Sequence, residues 1–207
     1  MVRVIDCGKM DFLDALRLQE SLVAAIASGK SEESLLLLEH PSVYTIGRGG
    51  SEANLLTAGT PLIRTNRGGE ITWHGPGQLV GYPLLELGKR GKDLHLYLRF
   101  LEELLIRCAE EFSVAAWRMP GRTGVWASCG KLASIGVGVR RWVTMHGFAI
   151  NASPDLSHFS AINPCGIHGC SVSSLEKESC RPTDIAKVKT KLTRLFLDTL
   201  PQYLPVI

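Results

Sequence analysis

Residues able to carry out covalent or proton-transfer chemistry stand in four separate motifs of this chain. His74 lies in RGGEITWHGPGQLVGYPL, from Arg67 to Leu84, where five glycines and two prolines surround it before an apolar run resumes. Glycine permits positive φ and lets backbone approach a ligand closely, while Pro76 and Pro83 fix φ. A turn-rich connection between two strands has the same composition, so the segment alone does not decide between structure and function. The other motifs are GKLASIG with Lys131, MHGFAIN with His146, and INPCGIHGC with Cys165.

A cysteine nucleophile acts as thiolate, and with an ordinary pKa of ~8.5 only a few per cent is ionised at neutral pH, so it needs a cationic or basic neighbour. Of the six cysteines, Cys7 and Cys108 read as small packing residues, and Cys129 and Cys180 sit near turns. Cys165 is set apart by Pro164 before it and Gly166 after it, a sharp, open turn where backbone N–H groups can face a developing oxyanion. A packing role stays open for it on local sequence. Cys165, His168 and Cys170, completed by His74 or His146, also form a metal-binding alternative, but the spacing is not a standard zinc pattern and paired CxxC elements are missing. A cysteine hydrolase with His74 or His146 as base is a further alternative. Lys131 as an ammonium would stabilise a thiolate. To act as a base near pH 7 it must lose a proton at a cost of about 4 to 5 kcal/mol from a pKa of ~10.4, so partial desolvation is required. Its neighbours Leu132, Ala133 and Ile135 are apolar. A surface lysine is the ordinary alternative, and a satisfied structural role is open for each histidine.

The elements that would hold these residues follow from periodicity. Met10 to Ser28 has apolar residues near helical spacing, and Leu35 to Leu38 and Val43 to Ile46 read as strands. Leu94 to Phe112 reads as an amphipathic helix through Leu98, Leu101, Leu104, Leu105 and Cys108. Short strands are expected at Ala115 to Trp117 and Val125 to Ala127. Leu132 to Val139 and Trp142 to Ile150, parted by Arg140 and Arg141, suit a hairpin. A last helix is capped by Thr183 and carries Ile185, Val188, Leu192, Leu195 and Phe196 on one face. Helices alternating with strands and a hairpin predict an α/β or α+β fold with a mixed sheet. The 207 residues suit one domain, 1–207, with room for a sizeable core. A net charge of +3 is too small, without clustering, to argue for nucleic acid. No run approaches the ~18 apolar residues of a membrane span. The N-terminal stretch lacks the order of a secretory signal, and Asp6, Asp11 and Asp14 are the wrong charge for a transit peptide. The expectation is a cytoplasmic protein with reduced thiols.

EHPSVYTIGR, RGGEITWHGPGQLVGYP, GKLASIG, HGFAIN and INPCGIHGCSVSSL, in this order, resemble the lipoyl(octanoyl) transferase family. The likeness covers most of the chain, although the lysine segment alone is shared with lipoate and biotin protein ligases. It implies a mixed sheet flanked by helices, as in the catalytic domain of those ligases. The implied activity moves an octanoyl group from octanoyl-acyl carrier protein to a lysine on lipoyl domains of 2-oxoacid dehydrogenase complexes, or on the glycine cleavage H protein. The resemblance further implies acylation of Cys165, pKa control and proton handling by Lys131, and substrate contacts from Arg67, Gly68, Gly69, Glu70, Ile71, Thr72, Trp73, His74, Ser134, Ile135, Gly136, Gly147, Phe148 and Ala149. His146 is a candidate for orienting the substrate. Thioester-to-amide transfer is downhill, so no cofactor and no metal are expected, and the chain shows no P-loop. A monomer without nucleic-acid or membrane partners is expected. Two positions depart from the family: Cys170 is unexpected, leaving open a disulfide or oxidation-sensitive pair with Cys165, and Ser173 stands where threonine is common. An ATP-dependent ligase of the same fold and a non-catalytic lipoyl-domain binder are the competing classes.

Overall fold

The structure, a computed structural model, describes residues 2–166 and 169–207, Cys165 by its backbone alone. Its elements run β1 (Arg3–Lys9), α1 (Phe12–Ala27), β2 (Ser34–Glu39), β3 (Val43–Ile46), β4 (Leu62–Arg64), β5 (Thr72–His74), β6 (Gln78–Leu84), α2 (Leu94–Glu110), β7 (Trp117–Met119), β8 (Arg122–Ala127), β9 (Gly130–Arg140), β10 (Val143–Asn151), α3 (Leu175–Ser179) and α4 (Ile185–Tyr203).

Seven strands form one sheet in the order β1-β2-β6-β10-β9-β8-β7, and β4-β3-β5 form a second, smaller one. β1 and β2 are parallel, the remaining pairs of the large sheet antiparallel. The fold is thus a mixed α+β arrangement with sheets flanked by helices, as the alternation predicts. Strand side chains alternate between faces. Leu35, Leu37 and Leu79 accordingly pack with α2 and α4, while Leu36, Leu38, Val80, Tyr82 and Leu84 pack with Ala15, Val23 and Ile26 of α1. A third apolar cluster, Ile46, Ile71, Trp73, Phe159 and Ile162, lies under the small sheet.

Several local expectations need adjustment. α4 is capped by Asp184, whose carboxylate accepts from the Ala186 N–H, and not by Thr183, whose hydroxyl donates instead to the Arg181 carbonyl. The strand expected at Ala115 to Trp117 starts at Trp117, where β7 pairs with Trp126 of β8. Arg141 and Trp142 turn the β9–β10 hairpin with φ of 52° and 62°, a two-residue turn of the kind that matches strand twist. β1 and β6 had no sequence expectation: a bulge at Gly8, with φ of 59°, breaks the alternation of the first, and Gly81 and Pro83 disguise the second.

Candidate active site

A cavity of about 430 Å³ lies on the α1 face of the large sheet, where β9 and β10 extend past that helix; ligand pockets commonly hold about 300 to 1,000 Å³. Its floor follows from strand parity. Ser134 pairs with Ala149, which pairs with Val80; one row on, Gly136 pairs with Gly147. On the opposite face the same strands carry Ala133, Phe148 and Ile150 into the core. Small residues on one side of β9 and β10 thus leave a trough, with Val80 and Tyr82 of β6 as its wall. Gly147 is required there, since a Cβ would strike the Gly81 carbonyl, and Gly81 in turn lies beneath the Phe148 ring.

The roof comes from the loop before β5. Arg67, 7% exposed, donates from Nη2 to the Thr45 carbonyl and hydroxyl at 2.9 Å each, and from Nη1 to the Gly68 carbonyl. The Gly68 N–H bonds the Val137 carbonyl at 2.8 Å, tying the loop to β9. Arg67, Gly69, Glu70, Ile71, Thr72 and His74 line the cavity, as do Ser134, Ile135, Gly136, His146, Gly147, Phe148 and Ala149. Gly68 and Trp73 do not appear in that lining. The Trp73 indole is buried on the far side of β5, donating to Ser42 and stacked on His158 at 4.6 Å.

Lys131 reaches the same cavity and is 3% exposed. Its Nζ lies 3.4 Å from the Thr123 carbonyl and 5.0 Å from the centre of the Trp126 ring. The path of this side chain depends on Gly124, where φ is 129° and a Cβ would sit 2.8 Å from Lys131 Cε. The Lys131 backbone is bonded in both directions to the chain beyond Cys165: its N–H donates to the Ser171 carbonyl, and its carbonyl accepts from the Ser173 N–H. Upstream of Cys165, the Asn163 N–H donates to the Asn54 carbonyl, and the Asn54 amide donates to Glu70, which also holds the Ser51 N–H. Residues 164–166 form a single 3-10 turn, and Pro164 lines the cavity with Lys131. The chain on either side of Cys165 is therefore pinned to both walls. The Cys165 side chain and His168 fall outside the described residues, and with them the metal cluster and the Cys165–Cys170 pair that the sequence left open.

Two histidines of the lining are neutral. His146 sits in β10 with φ of 55°; its N–H donates to Gln19 at 2.7 Å and its Nε2 pairs with Asn66 at 2.5 Å. Burial first, then the Arg67 and Arg48 charges, push it down to about 4. His74 is held at about 3, by burial and then by His40. Its ring lies parallel to Phe12, with centroids 6.3 Å apart, and His40 meets it edge-on. Its Nδ1 bonds Gln78 Oε1 at 2.7 Å; Gln78 Nε2 donates to Asn151 Oδ1 at 2.8 Å, and Asn151 Nδ2 donates to the Ser173 carbonyl at 2.9 Å.

Phe12, Val80, Tyr82, Gly121, Arg122 and Thr123 line the cavity without having been singled out in the sequence. The helical period around Phe12 and the strand parity of β6 carried the first three, once the sheet order is known. The turn before β8 left no such signal.

The model of the lipoyl protein ligase A/B catalytic domain matches residues 11–197. An octanoyltransferase of Geobacter metallireducens is 57% identical over 98% of this chain and 95% of its own length, and one of Geotalea uraniireducens is 55% identical over 99% and 96%. Among solved structures, lipoate-protein ligase A bound with ATP superposes with a TM-score of 0.72 at 16% identity, over 96% of this chain and 84% of that one. Biotin protein ligase from Aquifex aeolicus in complex with biotin and ATP gives 0.60 at 15% identity, over 98% and 72%. The last two likenesses speak to the fold alone.

Proposed function

This chain belongs to the lipoyl protein ligase A/B catalytic-domain family and catalyses octanoyl transfer in protein lipoylation, and we propose that the transfer runs in two half-reactions through a thioester on Cys165. In the first, Lys131 draws the proton from the Cys165 thiol and the sulfur attacks the octanoyl thioester of acyl carrier protein. A new C–S bond forms as the old one breaks, and the carrier's thiolate leaves with the proton from Lys131. In the second, the neutral ε-amine of a lysine on a lipoyl domain, or on glycine cleavage H protein, attacks the acyl-enzyme. The C–N bond forms, the bond to Cys165 breaks, and the proton shed by the amine passes through Lys131 back to sulfur.

The observation that carries this reading is the stitching of the Lys131 backbone to Ser171 and Ser173 while Pro164 and Lys131 line one cavity. The substrate contacts expected at Arg67 to His74, Ser134 to Gly136 and Gly147 to Ala149 belong to the same proposal, with Gly68 and Trp73 supporting the roof from behind. The trough takes the acyl chain, where each buried methylene contributes ~0.8 kcal/mol. The enzyme works without ATP or metal, as a monomer in the cytoplasm.

Intact-mass measurement tests the route. Incubation with octanoyl-acyl carrier protein adds one octanoyl mass at Cys165, and Cys165→Ala abolishes the addition. Transfer that survives in Cys165→Ala, or acylation that needs free octanoate and ATP, would overturn it in favour of ligase chemistry.

A further inference from the structure

The relay from His74 to Ser173 has a fixed polarity. The Ser173 carbonyl can only accept, so Asn151 must present its NH₂ there and its oxygen to Gln78. Gln78 must then offer its own NH₂ to that oxygen, leaving Oε1 for His74. An oxygen acceptor at Nδ1 requires the proton on Nδ1. His74 is consequently the Nδ1–H tautomer, and Nε2 carries a lone pair. Among the described residues Nε2 has no hydrogen-bond partner, while His74 lines the cavity that Lys131 and Pro164 also line. The members of the relay are buried: Gln78 is 2% and Asn151 3% exposed.

A lone pair facing the cavity calls for a hydrogen-bond donor. The acyl chain has no hydrogen-bond donor, and a thioester carries acceptors only. The lining itself holds donors on Lys131, Arg67, Arg122, Thr72 and Thr123; the N–H donor that the acceptor substrate of the proposed reaction brings to this cavity is the incoming amine. Resting on that reading, we propose that His74 Nε2 accepts a hydrogen bond from the attacking lysine amine and aims its lone pair at the acyl-enzyme carbonyl, with Gln78 and Asn151 as positioning residues that hold the tautomer. No proton is transferred to His74: the amine's proton leaves through Lys131 as before, and the His74 bond orients the second N–H. The groups facing the ring are Phe12 from α1, His40 just after β2, His146 from β10, and Arg67 from the roof. No carboxylate is among them, in keeping with a ring that stays uncharged.

Nitrogen NMR on protein labelled at the histidine rings reads the tautomer directly, with His74→Asn providing the assignment. At neutral pH the expected pattern for His74 is a protonated Nδ1 and an unprotonated Nε2; the reverse tautomer or an imidazolium would overturn the inference. Kinetics then separate the half-reactions. Gln78→Glu supplies a carboxylate that favours the imidazolium and turns Nε2 into a donor. Transfer from the isolated acyl-enzyme to a lipoyl domain should slow about tenfold in kcat beyond any change in acylation by octanoyl-acyl carrier protein, the loss of one orienting hydrogen bond, and its dependence on pH acquires a histidine ionisation that the parent lacks. Equal transfer rates for Gln78→Glu and the parent would also sink the proposal. If the parent never forms an acyl-enzyme, the thioester route fails, whereas the tautomer assignment is judged by the spectrum on its own.

Discussion

A methyl group at residue 124 is the smallest change that reaches the chemistry. Gly124 occupies a φ that side chains rarely adopt, and its added Cβ would meet both Lys131 Cε and the Ala133 carbonyl at 2.8 Å. Gly124→Ala is expected to cost about 1 to 3 kcal/mol of stability and to displace the lysine, so that Cys165 acylation slows by at least about tenfold while the fold persists. Thermal denaturation and time-resolved intact mass together check this. Lys131→Ala is expected to keep its fold and to slow acylation severely across pH 6 to 9; near-normal acylation would remove the lysine from the mechanism. The residue scale was also the most legible in sequence. Lys131 and Pro164, the residue before Cys165, line one cavity, whereas the Cys165 side chain lies outside the described residues. Trp73 shows the limit, because successive residues of a strand point alternately toward and away from the cavity, and only the sheet order tells which.

At the level of elements, β9 and β10 build the trough with small side chains on one face and bulky ones on the other. Filling it should change what is accepted: Ala149→Leu, beside Ser134 and Val80, is expected to shorten the preferred acyl chain. At ~0.8 kcal/mol per methylene, losing room for two costs octanoyl about tenfold relative to hexanoyl; a competition assay with mixed acyl donors reads the ratio. This face was half visible in the sequence. The apolar runs predicted a hairpin, and the structure has one, but the glycines of ASIGVGV and HGFAIN carry no signal for which side they open until β6 and α1 are placed against them. β6 itself went unpredicted because Gly81 and Pro83 are strand-breaking types, used here where the Phe148 ring needs space and where Pro83 pairs with Leu35.

Across the whole molecule, the cost of burying these histidines appears in acid. His74 and His146 are held at about 3 and about 4, against 6.5 for an exposed histidine, and burial lowers His40 as well. These rings stay neutral when folded, whereas the unfolded chain takes up protons below pH 6.5. Their contribution to stability is whole above that pH and is lost as the pH falls, toward about 4 for His146 and about 3 for His74. For His74 and His146 together the loss at pH 5.5 is about 3 kcal/mol. Denaturant titrations between pH 7.5 and 5 check the slope, and His146→Gln should flatten it. No sequence pattern foretold this, because three histidines at positions 40, 74 and 146 become neighbours only through the sheet order.

The two-way bonding of Lys131 to Ser171 and Ser173 has a consequence for how the enzyme idles. A fluctuation that peels residues 171–173 from β9 frees the Lys131 N–H, its carbonyl and the Ser173 N–H in a single event, and on the proposed route the reactivity of Cys165 falls with it. Alkylating reagents should therefore modify Cys165 chiefly in the closed ensemble, and amide exchange at Lys131 and Ser173 should march in step with the fading of that reactivity.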